Sequence, residues 1–265
     1  MPFDDDTELA LIEPGIYSCF VSEKQWVVAG PNGGYLAALL TRAGEAHLGD
    51  STRQLRSLTV HYLRRPRADG ARIEVTIEKN GRSVSFLRLK MIQDEKLILL
   101  ATGAWATSRD GFDFLGWPAP EVEPPDACSE LTLVREGPSL PIHQQWDIRS
   151  ATAGAMFGSG QAPDLNWWIR PPTHRPLDAA MLVAIADALP PPIFVTDMGP
   201  MAVPTVDLTI HIRAMLTAVR WEPGDWVLAR FTTQYASGGF LEEDGAFWTA
   251  HGILIAHSRQ LALSV

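Results

Sequence analysis

The sequence predicts an α+β protein made of two tandem copies of one unit, each an antiparallel sheet wrapped around a long, mostly buried helix. Three observations predict it. A glycine-rich turn opens an apolar helix that is followed by four strands. The same helix-then-strands order returns after a proline-rich stretch. Short apolar strings recur at similar offsets: Leu58-Thr59-Val60-His61-Tyr62-Leu63-Arg64 resembles Leu208-Thr209-Ile210-His211-Ile212-Arg213 at an offset of 150, and Ile98-Leu99-Leu100-Ala101 resembles Ile253-Leu254-Ile255-Ala256 at 155. Each string is weak alone, and their agreement with the element order carries the inference. A period this long means tandem domains, because solenoid repeats are far shorter.

In chain order, a strand is expected around Gly15 to Val21, then the cluster Gly30-Pro31-Asn32-Gly33-Gly34. That cluster opens a helix from Tyr35 that ends near Gly49, with Leu36, Leu39, Leu40 and Ala43 at helical spacing. Leu55 to Leu63 reads as a strand stopped at Arg65-Pro66. Arg72 to Glu78 alternates strictly, with Ile73, Val75 and Ile77 on one face, and Asn80-Gly81 marks a tight hairpin. Val84 to Ile92 and Leu97 to Thr107 complete the first sheet, joined by the polar turn 93–96.

From Phe112 to Ser139, Pro118, Pro120, Pro124, Pro125 and Pro138 interrupt any period, which predicts a surface connection between units. The expected division is therefore residues 1–112, a linker over 113–139, and a second unit over 140–265. In the second unit, strands are expected at Trp146 to Ala151 and Leu165 to Arg170. A helix from Leu177 to Leu189 is then stopped by Pro190-Pro191-Pro192. Strands follow at Ala202 to Ala214, Asp225 to Tyr235, Gly239 to Trp248 and Gly252 to Leu263.

Composition narrows the function classes. With 31 acidic and 22 basic residues the formal charge is -9, which argues against a nucleic-acid partner but leaves room for a local anion site. The two cysteines, Cys19 and Cys128, are far apart and read as free thiols. The start Met1-Pro2-Phe3-Asp4-Asp5-Asp6 has neither the basic nor the apolar part of a secretory signal, and no run of about 18 apolar residues occurs, so a cytoplasmic protein without a membrane span is expected. The seven histidines show no metal-binding helical pair, Gly158-Ser159-Gly160 lacks the context of a nucleophile elbow, and residues 30–34 have neither dinucleotide nor P-loop spacing. No metal and no cofactor is expected. His61 and His211 occupy equivalent strand positions, which repeated packing explains.

The residues that carry chemistry are polar ones placed where the period asks for something apolar. Asp187 shares a stripe with Ala180 and Ala184 on an otherwise apolar helix, near the end where the helix dipole disfavours a negative charge. Either something compensates it or the last turn frays into solvent, and the pattern does not choose. Gln260 shares a strand face with Leu254, Ala256, Ser258 and Ala262. Thr205 falls by alternation on the polar face with Asp207, Thr209 and His211.

These residues resemble a known family. Val183-Ala184-Ile185-Ala186-Asp187, Pro204-Thr205-Val206-Asp207 and Gly252-Ile253-Leu254-Ile255-Ala256 followed by Gln260 are similar to the C-terminal half of the acyl-CoA thioesterase II family, double-hotdog hydrolases. Gly33-Gly34 matches the glycine pair before that family's first helix. The resemblance implies a double hotdog that hydrolyses acyl-CoA to free acid and CoA by direct attack of water. Asp187, Thr205 and Gln260 would hold the water. The backbone N–H groups at Gly33 and Gly34 would polarise the thioester carbonyl at the helix entrance. It mildly favours further association into a homo-oligomer, and one departure, Gln234-Tyr235, bears on the shape of the acyl pocket. Two alternatives stand beside it: a non-catalytic acyl-thioester binding protein, and a hydratase or dehydratase on the same fold.

Overall fold

The computed structural model describes residues 2–28, 30–130, 140–152, 154, 157–197 and 202–265. Residues 131–139 of the expected linker, Pro138 among them, lie outside the described residues.

The first half opens with a short helix, α1 (Pro2–Asp6), and the strands β1 (Ala10–Glu13) and β2 (Ile16–Phe20). The long helix α2 (Gly33–Leu48) then precedes β3 (Gln54–Tyr62), β4 (Gly70–Asn80), β5 (Val84–Gln93) and β6 (Lys96–Ala106). Asn32 caps α2, its side chain accepting the Tyr35 N–H, and Gly49 ends it in the left-handed conformation at φ 60°. Asp94 and Glu95, both at positive φ, make the two-residue turn between β5 and β6. The Asn80-Gly81 hairpin is longer than two residues, closed by the Gly81 N–H on the Val84 carbonyl.

After β7 (Ser129–Glu130), the second half contains β8 (Asp147–Ser150), β9 (Asp164–Arg170), α3 (Ala179–Ile185), β10 (Thr205–Ile212), β11 (Val227–Thr232), β12 (Ala236–Ser237), β13 (Phe240–Thr249) and β14 (Leu254–Leu263). Helix α3 is shorter than the expected 177–189. Pro190 cannot donate, and its ring disfavours helix at the residues just before it. The chain accordingly tightens, with the Asp187 and Ala188 N–H groups bonding the carbonyls of Ala184 and Ile185, three residues back.

All strands join one antiparallel sheet, ordered β1-β2-β4-β5-β6-β3-β10-β14-β13-β11-β9-β8-β7, with β12 on β13. The halves meet where β3 pairs with β10, and Thr59 sits opposite Thr209, their hydroxyl oxygens 2.9 Å apart. These are equivalent residues of the repeat, 150 positions apart, so the seam lies on the local two-fold axis of the duplication. The repeated string pairs with its own copy. Helices α2 and α3 pack together inside the sheet, and one continuous core runs through both halves, including Leu36, Leu39, Val60, Met181, Leu182 and Ile210.

The described part of the linker does not simply lie on the surface. It crosses the outer face of the second half, where Ala119, Val122 and Cys128 pack with Trp168, Trp226 and Trp248. The Trp168 and Trp248 indole N–H groups donate to the carbonyls of Glu123 and Trp117. These bonds satisfy two of the protein's buried indoles, so the linker carbonyls close that face. Both cysteines are free and buried.

Candidate functional site

The site forms where the end of α3 meets the start of α2. Gly34 is required by that approach: a Cβ there would stand 2.5 Å from the Ala184 carbonyl oxygen and 3.0 Å from that of Val183. At Gly33 a Cβ would stand 2.9 Å from Asp187 Oδ2. Small residues let the second-half helix set its last turn directly on the first-half helix entrance.

That contact resolves the problem posed by Asp187. It follows its own helix, yet its carboxylate lies at the N-terminus of α2, where free N–H groups and the dipole favour an anion. Gly34 N–H and Asn32 Nδ2 each donate to Asp187 Oδ2 at 3.0 Å, and Asn32 Nδ2 also reaches the Asp187 carbonyl at 2.5 Å. Burial pushes its pKa up to about 6, while the backbone N–H groups of Gly34 and Gly33 and the Asn32 amide pull it back. Asp187 is therefore compensated rather than frayed into solvent. The Gly34 N–H, expected to face a substrate oxygen, is given to Asp187. Tyr62, half-buried beside Gly33, donates its hydroxyl to the Gly33 carbonyl at 2.8 Å.

Thr205 and Gln260 come together on the inner face of the second half, which simple alternation does not allow. A bulge at Val206 lets Thr205 pair with Ala262 while Asp207 pairs with Leu261. The extra residue turns Thr205 from the polar outer face onto the face of Leu208 and Gln260. Thr205 Oγ1 then donates to Gln260 Oε1 at 3.1 Å, and Gln260 Nε2 donates to Glu243 Oε1 at 2.8 Å. Three adjacent strands, β10, β14 and β13, thus carry one hydrogen-bonded row, with Glu243 directly opposite Gln260. The charge of Asp187 acts on Glu243 and adds to burial in raising its pKa well above the ordinary carboxylate range. The two carboxyl groups are therefore electrostatically coupled.

Three members of this cluster escape a reading of the sequence alone. Asn32 was legible only as part of a turn, and Tyr62 as a strand aromatic. Glu243 was hidden in the acidic run Glu242-Glu243-Asp244, although alternation with Leu241, Gly245 and Phe247 places it inward. Gln234 and Tyr235 have exposed side chains, and their N–H groups donate to the Glu242 carboxylate.

The equivalent helix entrance in the second half is built differently. Asp178 caps α3 and pairs with Arg42 at 3.2 Å and Arg175 at 2.7 Å. Glu45 lies beside that pair, and burial and Asp178 push its pKa up to about 7 while Arg42 lowers it. An aspartate held by two arginines cannot do what an aspartate on glycine N–H groups does, so the two entrances are not copies in chemistry. Among the described residues no group of His, Cys, Asp and Glu could hold a metal ion, and no helix is long and apolar enough to cross a membrane.

Comparison with known proteins agrees with this architecture. A family model for the acyl-CoA thioesterase C-terminal domain matches residues 125–264, and one for the acyl-CoA thioesterase N-terminal domain matches residues 22–107. A search of curated proteins found no match. Among solved structures, a hot dog fold protein of unknown function from Alicyclobacillus acidocaldarius is 25% identical with a TM-score of 0.92, over 100% of this chain and 98% of its own. A candidate thioesterase II from Thermobifida fusca YX is 26% identical, TM-score 0.82, over 99% of this chain and 97% of its own. The acyl-CoA thioesterase II TesB2 from Mycobacterium marinum, 20% identical with a TM-score of 0.80 over 100% and 97%, shares the fold. Since the family's two domains match in order and one of them spans more than half of the chain, this protein belongs to the acyl-CoA thioesterase II family and is a double-hotdog thioester hydrolase.

Proposed function

We propose that the enzyme hydrolyses acyl-CoA by direct attack of a water molecule activated at Asp187. One observation carries this reading: an ionisable carboxylate, seated on the entrance of α2 by Gly34 and Asn32, acts electrostatically on Glu243, the residue to which the Thr205–Gln260 pair is hydrogen-bonded. A base with its pKa near 6 is ionised at neutral pH yet still basic enough to take a proton from water. Thr205 and Gln260 fix the water by hydrogen bonds, which converts a bimolecular step into an oriented one.

The water oxygen forms a bond to the thioester carbon as Asp187 accepts its proton, and the carbonyl electron pair moves onto oxygen. When the tetrahedral intermediate collapses, the C–S bond breaks and the thiolate recovers the proton from Asp187. The products are the carboxylic acid and CoA. Gly33 and Gly34 contribute by their lack of side chains: they let the turn that carries Asp187 sit directly on the positive end of α2, which holds the base in place. No observation favours a binding protein without catalysis or a hydratase.

The test is a panel of acyl-CoAs of different chain length with a thiol-detecting readout, run on the wild type and Asp187→Asn. The reading requires an active wild type and a loss of roughly 100-fold or more in the variant. Equal activity of the two would end it.

A further inference from the structure

We propose that Glu243 is a further catalytic residue of this site: Oε1 holds the Gln260 amide in place, and Oε2, buried and unpartnered, donates a hydrogen bond to the thioester carbonyl oxygen. The proposal rests on the hydrolase reading above and adds to it the oxyanion donor that reading lacks.

Three observations carry it. The first is a need. The Gly34 N–H, the natural donor at the helix entrance, is given to Asp187 Oδ2, and the Tyr62 hydroxyl is given to the Gly33 carbonyl. Charge that develops on the thioester oxygen requires a donor aimed at it in a site shielded from water.

The second is an unused atom. Glu243 is 3% exposed, its Oε1 accepts from Gln260 Nε2, and its Oε2 has no hydrogen-bond partner. A buried polar atom left without a partner costs stability, so its retention needs a reason. Thr233 Oγ1 is buried without a partner as well. Thr232, the last residue of β11, pairs with Asp244, so Thr233 just beyond it and Glu243 on β13 are the next facing positions, and both are buried. Two buried atoms with unused hydrogen-bonding capacity therefore lie at neighbouring positions at the end of the Thr205–Gln260–Glu243 row.

The third is protonation. Glu243 feels the negative charge of Asp187 and is next in sequence to Asp244, whose carboxylate pairs outward with Arg259. Burial and a neighbouring negative charge both disfavour ionisation of a second carboxyl group. The carboxylate seated on N–H donors is Asp187, which leaves the proton on Glu243. A neutral carboxylic acid accepts through one oxygen and donates through the other, as Gln260 and an oxyanion require. In the step written above, the electron pair that moves onto the carbonyl oxygen is stabilised by the Oε2–H of Glu243. The proton stays on Glu243, and the balance of the reaction is unchanged.

The experiment compares kcat and KM on the acyl-CoA panel for the wild type, Glu243→Gln, Glu243→Leu and Glu243→Ala, with thermal unfolding to establish folding. A glutamine has the shape of the neutral acid and keeps one acceptor and one donor. Glu243→Gln should retain kcat within about threefold, whereas Glu243→Leu and Glu243→Ala should lose on the order of 100-fold in kcat with little change in KM. Folded Leu or Ala variants with kcat near wild type would overturn the proposal. So would a folded Glu243→Gln as inactive as the truncations, because the working form would then be the carboxylate. If both truncations fail to fold, the Gln variant decides alone by the same criterion. A wild type that hydrolyses no acyl-CoA removes the hydrolase reading itself, an outcome distinct from an active enzyme indifferent to residue 243.

Discussion

Replacing Asp187 by Asn should destroy activity while making the protein more stable above neutral pH. The folded carboxyl has a pKa of about 6, whereas its ordinary value is 3.8. Below the ordinary value both folded and unfolded chains hold the proton, and the group contributes no pH dependence. As pH rises the unfolded chain ionises first, so the folded state binds more protons and stability falls with pH until the folded group has also ionised. The difference of about 2.2 units, at about 1.36 kcal/mol each, sets an upper figure of about 3 kcal/mol lost between the two values.

Asparagine is neutral throughout, and one amide oxygen can accept both bonds that Asp187 Oδ2 now accepts from Gly34 and Asn32. The variant should therefore match the wild type near pH 4 and exceed it at pH 8 by up to about 3 kcal/mol, or roughly 6–12 °C in Tm for a chain of this size. Denaturant titrations at both pH values measure the gap, and acyl-CoA turnover measures the cost. An Asn variant whose stability tracks the wild type at both pH values would show that the carboxylate is not under strain, and the base assignment would lose its physical ground.

The other expectations concern the same cluster. Wild-type kcat/KM should rise with pH through an acid limb near 6 as Asp187 ionises, and a limb in the ordinary carboxylate range would contradict the assignment. Asn32→Ala removes one donor to Asp187 and the cap of α2, so that limb should move to higher pH while stability falls by about 1 kcal/mol. Gly34→Ala places a methyl 2.5 Å from the Ala184 carbonyl, and the repacking should cost about 1–3 kcal/mol, seen as a lower denaturation midpoint. Gln260→Leu breaks the row between Thr205 and Glu243, and kcat should drop on the order of 100-fold with the fold retained.

The order of elements was legible because it rests on local periodicities. The alternation of Ile73, Val75 and Ile77 and the spacing of Leu36, Leu39 and Leu40 are consequences of burying one face of a strand or most of a helix, and both elements stand where expected. Helix α3 was overestimated because Leu177 to Leu189 is apolar apart from Asp178 and Asp187, and apolarity alone does not mark where the prolines begin to act. Thr205 was assigned to the wrong face because a one-residue bulge inverts the parity of every position before it. Glu243 looked like part of a solvated acidic run because charge draws attention before phase does. The linker gave no period, and only its contacts reveal that its carbonyls satisfy two buried tryptophans.

By itself the sequence determined that the chain is a duplication, that each copy wraps a sheet around a helix, and that Asp187 and Gln260 are out of place among apolar neighbours. These are properties of spacing, and spacing is written in the chain. Tertiary structure alone decided what those residues meet. Asp187 is held by Asn32 and Gly34, more than 150 positions away, because two helices from opposite halves cross at a glycine. Its pKa and the use of the Gly34 N–H follow from that crossing, since burial and hydrogen bonding depend on three-dimensional neighbours.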